Sequence, residues 1–182
     1  CRSGHRGVQA AVIALFTGGS GSGKSEMAES YACRLAAQKK PLYYFATMRV
    51  WGEEGRTRVE KHRRQREGKG FATVECPSRL PLGVAGGVIL LECLSNRLAN
   101  AMFGDKDSAP VGLILSELDA LAEKNDLVVV TNEIFSDGAK YDAETAQYIG
   151  NLGLLNQKLA RRAQLFVESV YSIPVVHKGT LQ

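Results

Sequence analysis

The run Gly18-Gly19-Ser20-Gly21-Ser22-Gly23-Lys24-Ser25 constrains this chain more than any other feature. It follows an apolar stretch at residues 12–16 and precedes a segment in which Met27, Tyr31 and Leu35 recur at helical spacing. Strand, glycine loop and helix in that order make a phosphate-binding loop. Glycines let successive backbone N–H groups curl around phosphate oxygens, and the helix N-terminus adds its partial positive charge. Lys24 is expected to reach the β- and γ-phosphates and Ser25 to ligate Mg2+, so the ligand class is a nucleoside triphosphate with magnesium.

The rest of the chain alternates in the same way. Apolar or aromatic runs at residues 41–46, 72–75, 88–91, 127–131, 165–170 and 175–177 read as strands. Helices are expected at residues 24–38, 53–66, 94–102 and 143–163, and another where Val111, Ile114, Leu115, Leu118 and Leu121 repeat at three and four. Continuous apolar strands separated by helices imply a mostly parallel sheet covered on both faces, an α/β fold of the phosphate-loop NTPase type (RecA-like). Residues 11–182 are expected to form one nucleotide-binding catalytic domain, and the polar, basic residues 1–10 a tail outside it.

Composition narrows the function classes. The hydrophobic share is 45% and no apolar run is long enough to span a bilayer. A net charge of +4 suits anionic small ligands without arguing for nucleic acid. Cys1, Cys33, Cys76 and Cys93 form no CxxC pair and have no histidine at ligand spacing, so reduced thiols in a cytoplasm are expected.

A carboxylate partner for the metal should end a neighbouring strand. Glu92, after Val88-Ile89-Leu90-Leu91, and Glu133, after Val130-Thr131-Asn132, both qualify, and spacing alone does not choose between them for metal or substrate hydroxyl. Arg56, Arg58, Lys61, His62, Arg63, Arg64 and Arg66 crowd one short segment. A solvated helix face, a nucleic-acid patch and a triphosphate clamp with His62 as nucleophile all fit that pattern.

Several groups of residues then occur in a telling order: residues 18–25, Ala46-Thr47, Arg58 with His62-Arg63 and Arg66, and Val74-Glu75-Cys76. Leu90-Leu91-Glu92-Cys93-Leu94-Ser95-Asn96, Val129-Val130-Thr131-Asn132-Glu133, Asn156-Gln157 and Ile173-Pro174-Val175-Val176-His177-Lys178-Gly179 complete the series. Together they resemble the bifunctional adenosylcobinamide kinase/adenosylcobinamide-phosphate guanylyltransferases of cobalamin biosynthesis, over nearly all of residues 13–179. The resemblance implies two reactions. A nucleoside triphosphate (ATP or GTP) first phosphorylates the aminopropanol hydroxyl of adenosylcobinamide. GMP then passes from GTP through a histidine to adenosylcobinamide-phosphate, giving adenosylcobinamide-GDP.

By the same resemblance His62 is the guanylylated histidine. Thr47, Met48, Arg49, Arg63, Arg64, Gln65, Arg66, Glu75 and Glu92 fall on segments that line the guanine nucleotide, and a homo-oligomer, a trimer, is implied. Two places depart from the family pattern. Residues 134–142 replace a G-x-G-I-V-P segment, and Leu154 stands where an arginine precedes L-N-Q. A single-activity small-molecule kinase and a nucleotide-dependent switch are the competing expectations from the loop alone.

Overall fold

A computed structural model describes residues 11–37, 39–49, 53, 59–60, 64, 66–135 and 140–181. The expected tail at residues 1–10 lies outside them, as do His62, Arg63, Gln65 and residues 136–139. Strands β1 (Ile13–Thr17), β2 (Leu42–Ala46), β3 (Phe71–Glu75), β4 (Val88–Glu92), β5 (Asp126–Val130), β6 (Leu165–Val170) and β7 (Ile173–Lys178) form one sheet in the order β3-β2-β4-β5-β1-β6-β7. All pairings are parallel except the β6–β7 hairpin. The helices are α1 (Lys24–Ala36), α2 (Leu94–Ala99), α3 (Pro110–Ala122) and α4 (Ala143–Arg162). In the basic segment the described residues Glu53, Val59, Glu60, Arg64 and Arg66 are helical.

The two-residue period of the strands divides the core. Leu15, Phe45, Ile89, Leu91, Leu127 and Val129 face one way and pack with Leu98 of α2, Leu118 of α3 and Leu155 of α4. Ala14, Phe16, Tyr44, Leu90, Val128 and Val130 face the other way, under Ala28 and Ala32 of α1. Each large apolar side chain so buried contributes about 1.5–3 kcal/mol. Both faces being covered is why the central strands read as unbroken apolar runs rather than as alternating ones.

Two boundaries differ from the sequence reading for identifiable reasons. The helix expected over 94–102 is α-helical only to Ala99 and continues as a π-helical turn, Asn100–Gly104. There the Asn100 side-chain amide donates to Thr47 O at 2.7 Å and to Pro77 O at 2.8 Å, tying the ends of β2 and β3 to this turn. Strand β5 begins at Asp126, whose buried carboxylate accepts from Val12 N at 2.8 Å and Lys40 Nζ at 2.6 Å and closes the amino end of the sheet.

No helix among the described residues is long and apolar enough to cross a membrane. Arg97 is fully buried and meets Glu117 of α3 through Nε at 3.2 Å and Nη2 at 3.1 Å. Removing one member strands a buried charge, so Glu117→Ala should destabilise the fold by about 3–5 kcal/mol, whereas Arg97→Met/Glu117→Leu together should cost far less. Urea unfolding of both variants checks this.

Candidate functional site

Strand β1 delivers the chain to the carboxyl edge of the sheet, where residues 18–25 turn back into α1. Gly23, the last residue before the helix, has φ 87°, and a Cβ there would lie 2.5 Å from Ser172 Oγ. Gly18 is equally enclosed, since a Cβ would approach Ser169 O to 2.6 Å. The crowding comes from the β6–β7 hairpin, whose tip sits on the loop. Ser172 N donates to Ser22 O at 2.8 Å and Ser169 Oγ donates to the same carbonyl at 2.5 Å. Engaging that carbonyl from outside anchors the middle of the loop, whose Ser20 and Gly21 remain exposed.

Inside the loop, Lys24 Nζ donates to Gly19 O at 3.0 Å, and the residue is 9% exposed. Burial pushes its ammonium below the ordinary value, against the pull of the nearby Glu92 carboxylate. Ser25 Oγ donates to Glu92 Oε1 at 2.5 Å. The other Glu92 oxygen accepts from Tyr44 Oη at 3.1 Å. Burial, with Glu92 beside it, drives the Tyr44 phenol far above its ordinary value, so it remains a donor.

Over the Tyr44 ring lies Arg66, with its guanidinium carbon 3.3 Å from the ring centroid. Arg66 Nε and Nη1 are buried without a hydrogen-bond partner among the described residues. A line of contacts therefore runs Ser25–Glu92–Tyr44–Arg66 from the phosphate loop to the end of the basic segment. Lys69, just beyond, donates to the buried Glu29 of α1 at 2.7 Å.

Strand register explains this convergence. Glu75, Ala46, Glu92, Val130 and Phe16 stand in one row across β3, β2, β4, β5 and β1. Thr47 is fully buried, donates from Oγ1 to Cys93 O and accepts from Cys93 N, both at 2.8 Å. The Glu92–Cys93 peptide between them is cis. Arg49 pairs with Asp105 and donates to Ser78 Oγ at 3.0 Å, while Met48 is half-buried and Glu75 exposed. Arg64 pairs with Glu60 at 3.2 Å. Glu133 takes its backbone N–H to Gly18 O at 3.1 Å, and its carboxylate accepts from Phe135 N at 2.9 Å.

A polar cluster that the sequence did not single out as a site joins α2, the segment that follows β5, and α4. Asn132 Nδ2 donates to Ser95 Oγ at 2.7 Å, Thr131 Oγ1 to Asn156 Oδ1 at 2.8 Å, and Tyr148 Oη to Ser95 O at 3.2 Å. Cys93 Sγ lies 3.0 Å from Ser95 Oγ. Burial pushes the Cys93 thiol up, and that of Cys76 to about 12, so both stay neutral. A Cβ on Gly153, the neighbour of Leu154, would lie 3.5 Å from the Phe135 ring. No group of three or more metal-ligating side chains occurs among the described residues.

The cobinamide kinase / cobinamide phosphate guanyltransferase family matches residues 14–176. A bifunctional adenosylcobalamin biosynthesis protein of Pseudomonas aeruginosa is 31% identical over 173 residues, covering 91% of this chain and 96% of that protein. One of the same description from Escherichia coli is 30% identical over 172 residues, covering 84% and 92%. Among solved structures, the ATPase domain of a further protein superimposes with a TM-score of 0.53 at 9% identity, over 94% of this chain and 78% of that one. That last likeness bears on the fold alone.

The state of Lys24 has a measurable consequence. Its lowered pKa means that the folded protein holds this proton less tightly than the unfolded chain. Its contribution is therefore unfavourable at neutral pH and is relieved as pH rises through the folded value toward 10.5. Lys24→Met should leave the ligand-free Tm at or above that of the parent protein. It should also abolish the rise in Tm with magnesium and nucleoside triphosphate, which at 100 times Kd is worth about 2.7 kcal/mol for the parent. Thermal unfolding with and without nucleotide reads both.

Proposed function

The chain belongs to the cobinamide kinase / cobinamide phosphate guanyltransferase family, and we propose that it performs both steps on adenosylcobinamide with one phosphate loop. In the first step the aminopropanol hydroxyl attacks the γ-phosphorus of ATP or GTP, and the nucleoside diphosphate leaves. In the second the His62 imidazole attacks the α-phosphorus of GTP, pyrophosphate leaves, and a GMP–histidine phosphoramidate forms. The phosphate of adenosylcobinamide-phosphate then attacks that phosphorus and frees the imidazole, giving adenosylcobinamide-GDP.

The observation that carries this reading is the contact line Ser25–Glu92–Tyr44–Arg66. It ties the phosphate loop to the basic segment that holds His62, which lies outside the described residues but only four positions before Arg66. Arg66 Nε and Nη1, which have no hydrogen-bond partner among the described residues, would supply donors for a phosphate, and Lys24 would supply charge at the loop. Transfer of this kind is mostly positioning and electrostatics, which these groups provide.

Ser25 and Glu92 also suit Mg2+. Both offer hard oxygen atoms, and they already lie within one hydrogen bond of each other. When bound there, the ion would neutralise charge on the triphosphate.

GTP labelled at the α-phosphate tests the proposal. The protein should acquire an acid-labile, alkali-stable adduct. His62→Ala should lose the adduct and guanylyl transfer while keeping the kinase step, and normal GMP transfer by that variant would sink the assignment. Lys24→Ala should reduce both activities by about 100-fold or more. A single-activity kinase would instead lose γ-label in a substrate-dependent way with no adduct, and a switch would turn over slowly until a macromolecular partner is added.

A further inference from the structure

Glu92 reaches the phosphate loop through its carboxylate, whereas Glu133 reaches it through its backbone. The parallel register of β1 and β5 runs from Ile13 opposite Leu127 to Phe16 opposite Val130. Its hydrogen bonds continue past the end of β5. Thr131 N donates to Phe16 O at 2.9 Å, and Glu133 N donates to Gly18 O at 3.1 Å. Carried on, the register sets Glu133 beside Gly19, one strand spacing of about 4.8 Å away. Gly19 is the residue whose carbonyl takes Lys24 Nζ at 3.0 Å. The lysine of such a loop marks the β/γ end of a triphosphate. Glu133 therefore stands at the end from which a γ-phosphoryl group is handed over.

The segment that carries Glu133 is pinned on its other side as well. Thr131 is fully buried and gives its Oγ1 to Asn156 Oδ1 at 2.8 Å. Asn132 gives Nδ2 to Ser95 Oγ at 2.7 Å. The Glu133 carboxylate accepts from Phe135 N at 2.9 Å, so the turn that follows sets its direction, and the residue is half-buried. A group that takes a proton must be held within one hydrogen bond of it, and these contacts supply that rigidity. Thr131, of the same parity as Glu133, turns to α4, and α1 covers the opposite face of the sheet. A hydroxyl approaching from the α4 side meets Glu133 and leaves the Ser25–Glu92 pair to the cation.

We infer that Glu133 is the acceptor-side catalytic residue of the kinase step, the group that orients the attacking hydroxyl and takes its proton. The inference rests on the two-step reading above. As the hydroxyl oxygen bonds to the γ-phosphorus, its proton passes to the Glu133 carboxylate. The bond from that phosphorus to the β,γ-bridging oxygen breaks, and its electron pair leaves with the nucleoside diphosphate. Guanylyl transfer asks nothing of Glu133, because its nucleophiles are a neutral imidazole and then a phosphate anion. The two chemistries therefore separate at this residue.

Glu133→Gln keeps an oxygen for the Phe135 N–H but is no base, and Glu133→Asp keeps the charge on a shorter stem. With γ-labelled ATP and adenosylcobinamide, Glu133→Gln should lower kcat by about 100-fold or more and leave KM for adenosylcobinamide within about threefold. Glu133→Asp should recover about tenfold of that loss. In both variants, affinity for a non-hydrolysable ATP analogue and protein labelling from α-labelled GTP should stay within about threefold of the parent. A kinase kcat for Glu133→Gln within about threefold of the parent overturns the assignment. So does a fall in labelling or analogue affinity in step with kcat, since a merely structural residue would disturb both chemistries of the shared loop. A parent protein that phosphorylates no adenosylcobinamide would instead bring down the two-step reading, and this inference with it.

Discussion

The Glu92 carboxylate is the point on which the site depends. It stands at the end of β4, in the middle of the sheet, and uses its two oxygens for different partners. One accepts from Ser25 at the start of α1 and the other from Tyr44 on β2. A half-buried carboxylate needs such donors, and satisfying them draws the phosphate loop and the arginine over Tyr44 to the same edge. The loop, the sheet and the basic segment are thus held by one charged group that also has the chemistry to meet a cation.

The opposite support is made of backbone. Ser22 O accepts from both Ser169 and Ser172, so the β6–β7 hairpin braces the loop from the side away from Glu92. Between these two supports the loop has little freedom, which is what an anion cradle needs if its N–H groups are to stay pointed at phosphate oxygens. Both transfers of the proposed two-step reaction would draw on that cradle.

Much of this was legible in the residues. Unbroken apolar runs such as 88–91 and 127–130 mark strands covered on both faces, and the structure buries Val88, Ile89, Leu90 and Leu91 as that pattern requires. The loop motif located Lys24 and Ser25, and the rule that ligands collect at strand ends singled out Glu92 and Glu133. Their geometry separates them: Glu92 receives the Ser25 hydroxyl, whereas the Glu133 carboxylate accepts from the backbone N–H of Phe135. Tyr44 was hidden because an aromatic in PLYYFA looks like any core residue; only the twofold alternation of β2 turns it toward Arg66 and Glu92. The Ser95–Asn132–Asn156–Thr131 cluster was hidden for a related reason, since its members lie on three elements far apart in sequence.

What the sequence determined by itself was local: a glycine loop that only left-handed backbone can close, apolar periods that set strand and helix, and the order of motifs that carries the family. These depend on neighbours within a few positions, so they can be read along the chain. What the tertiary structure decided was which distant side chains share a hydrogen bond. Strand register put Glu75, Ala46 and Glu92 in one row, the parallel order placed β1 between two flanks, and the hairpin tip came down on Gly23. Pairing across a sheet is fixed by packing and by the satisfaction of buried polar groups, and neither has a period along the chain.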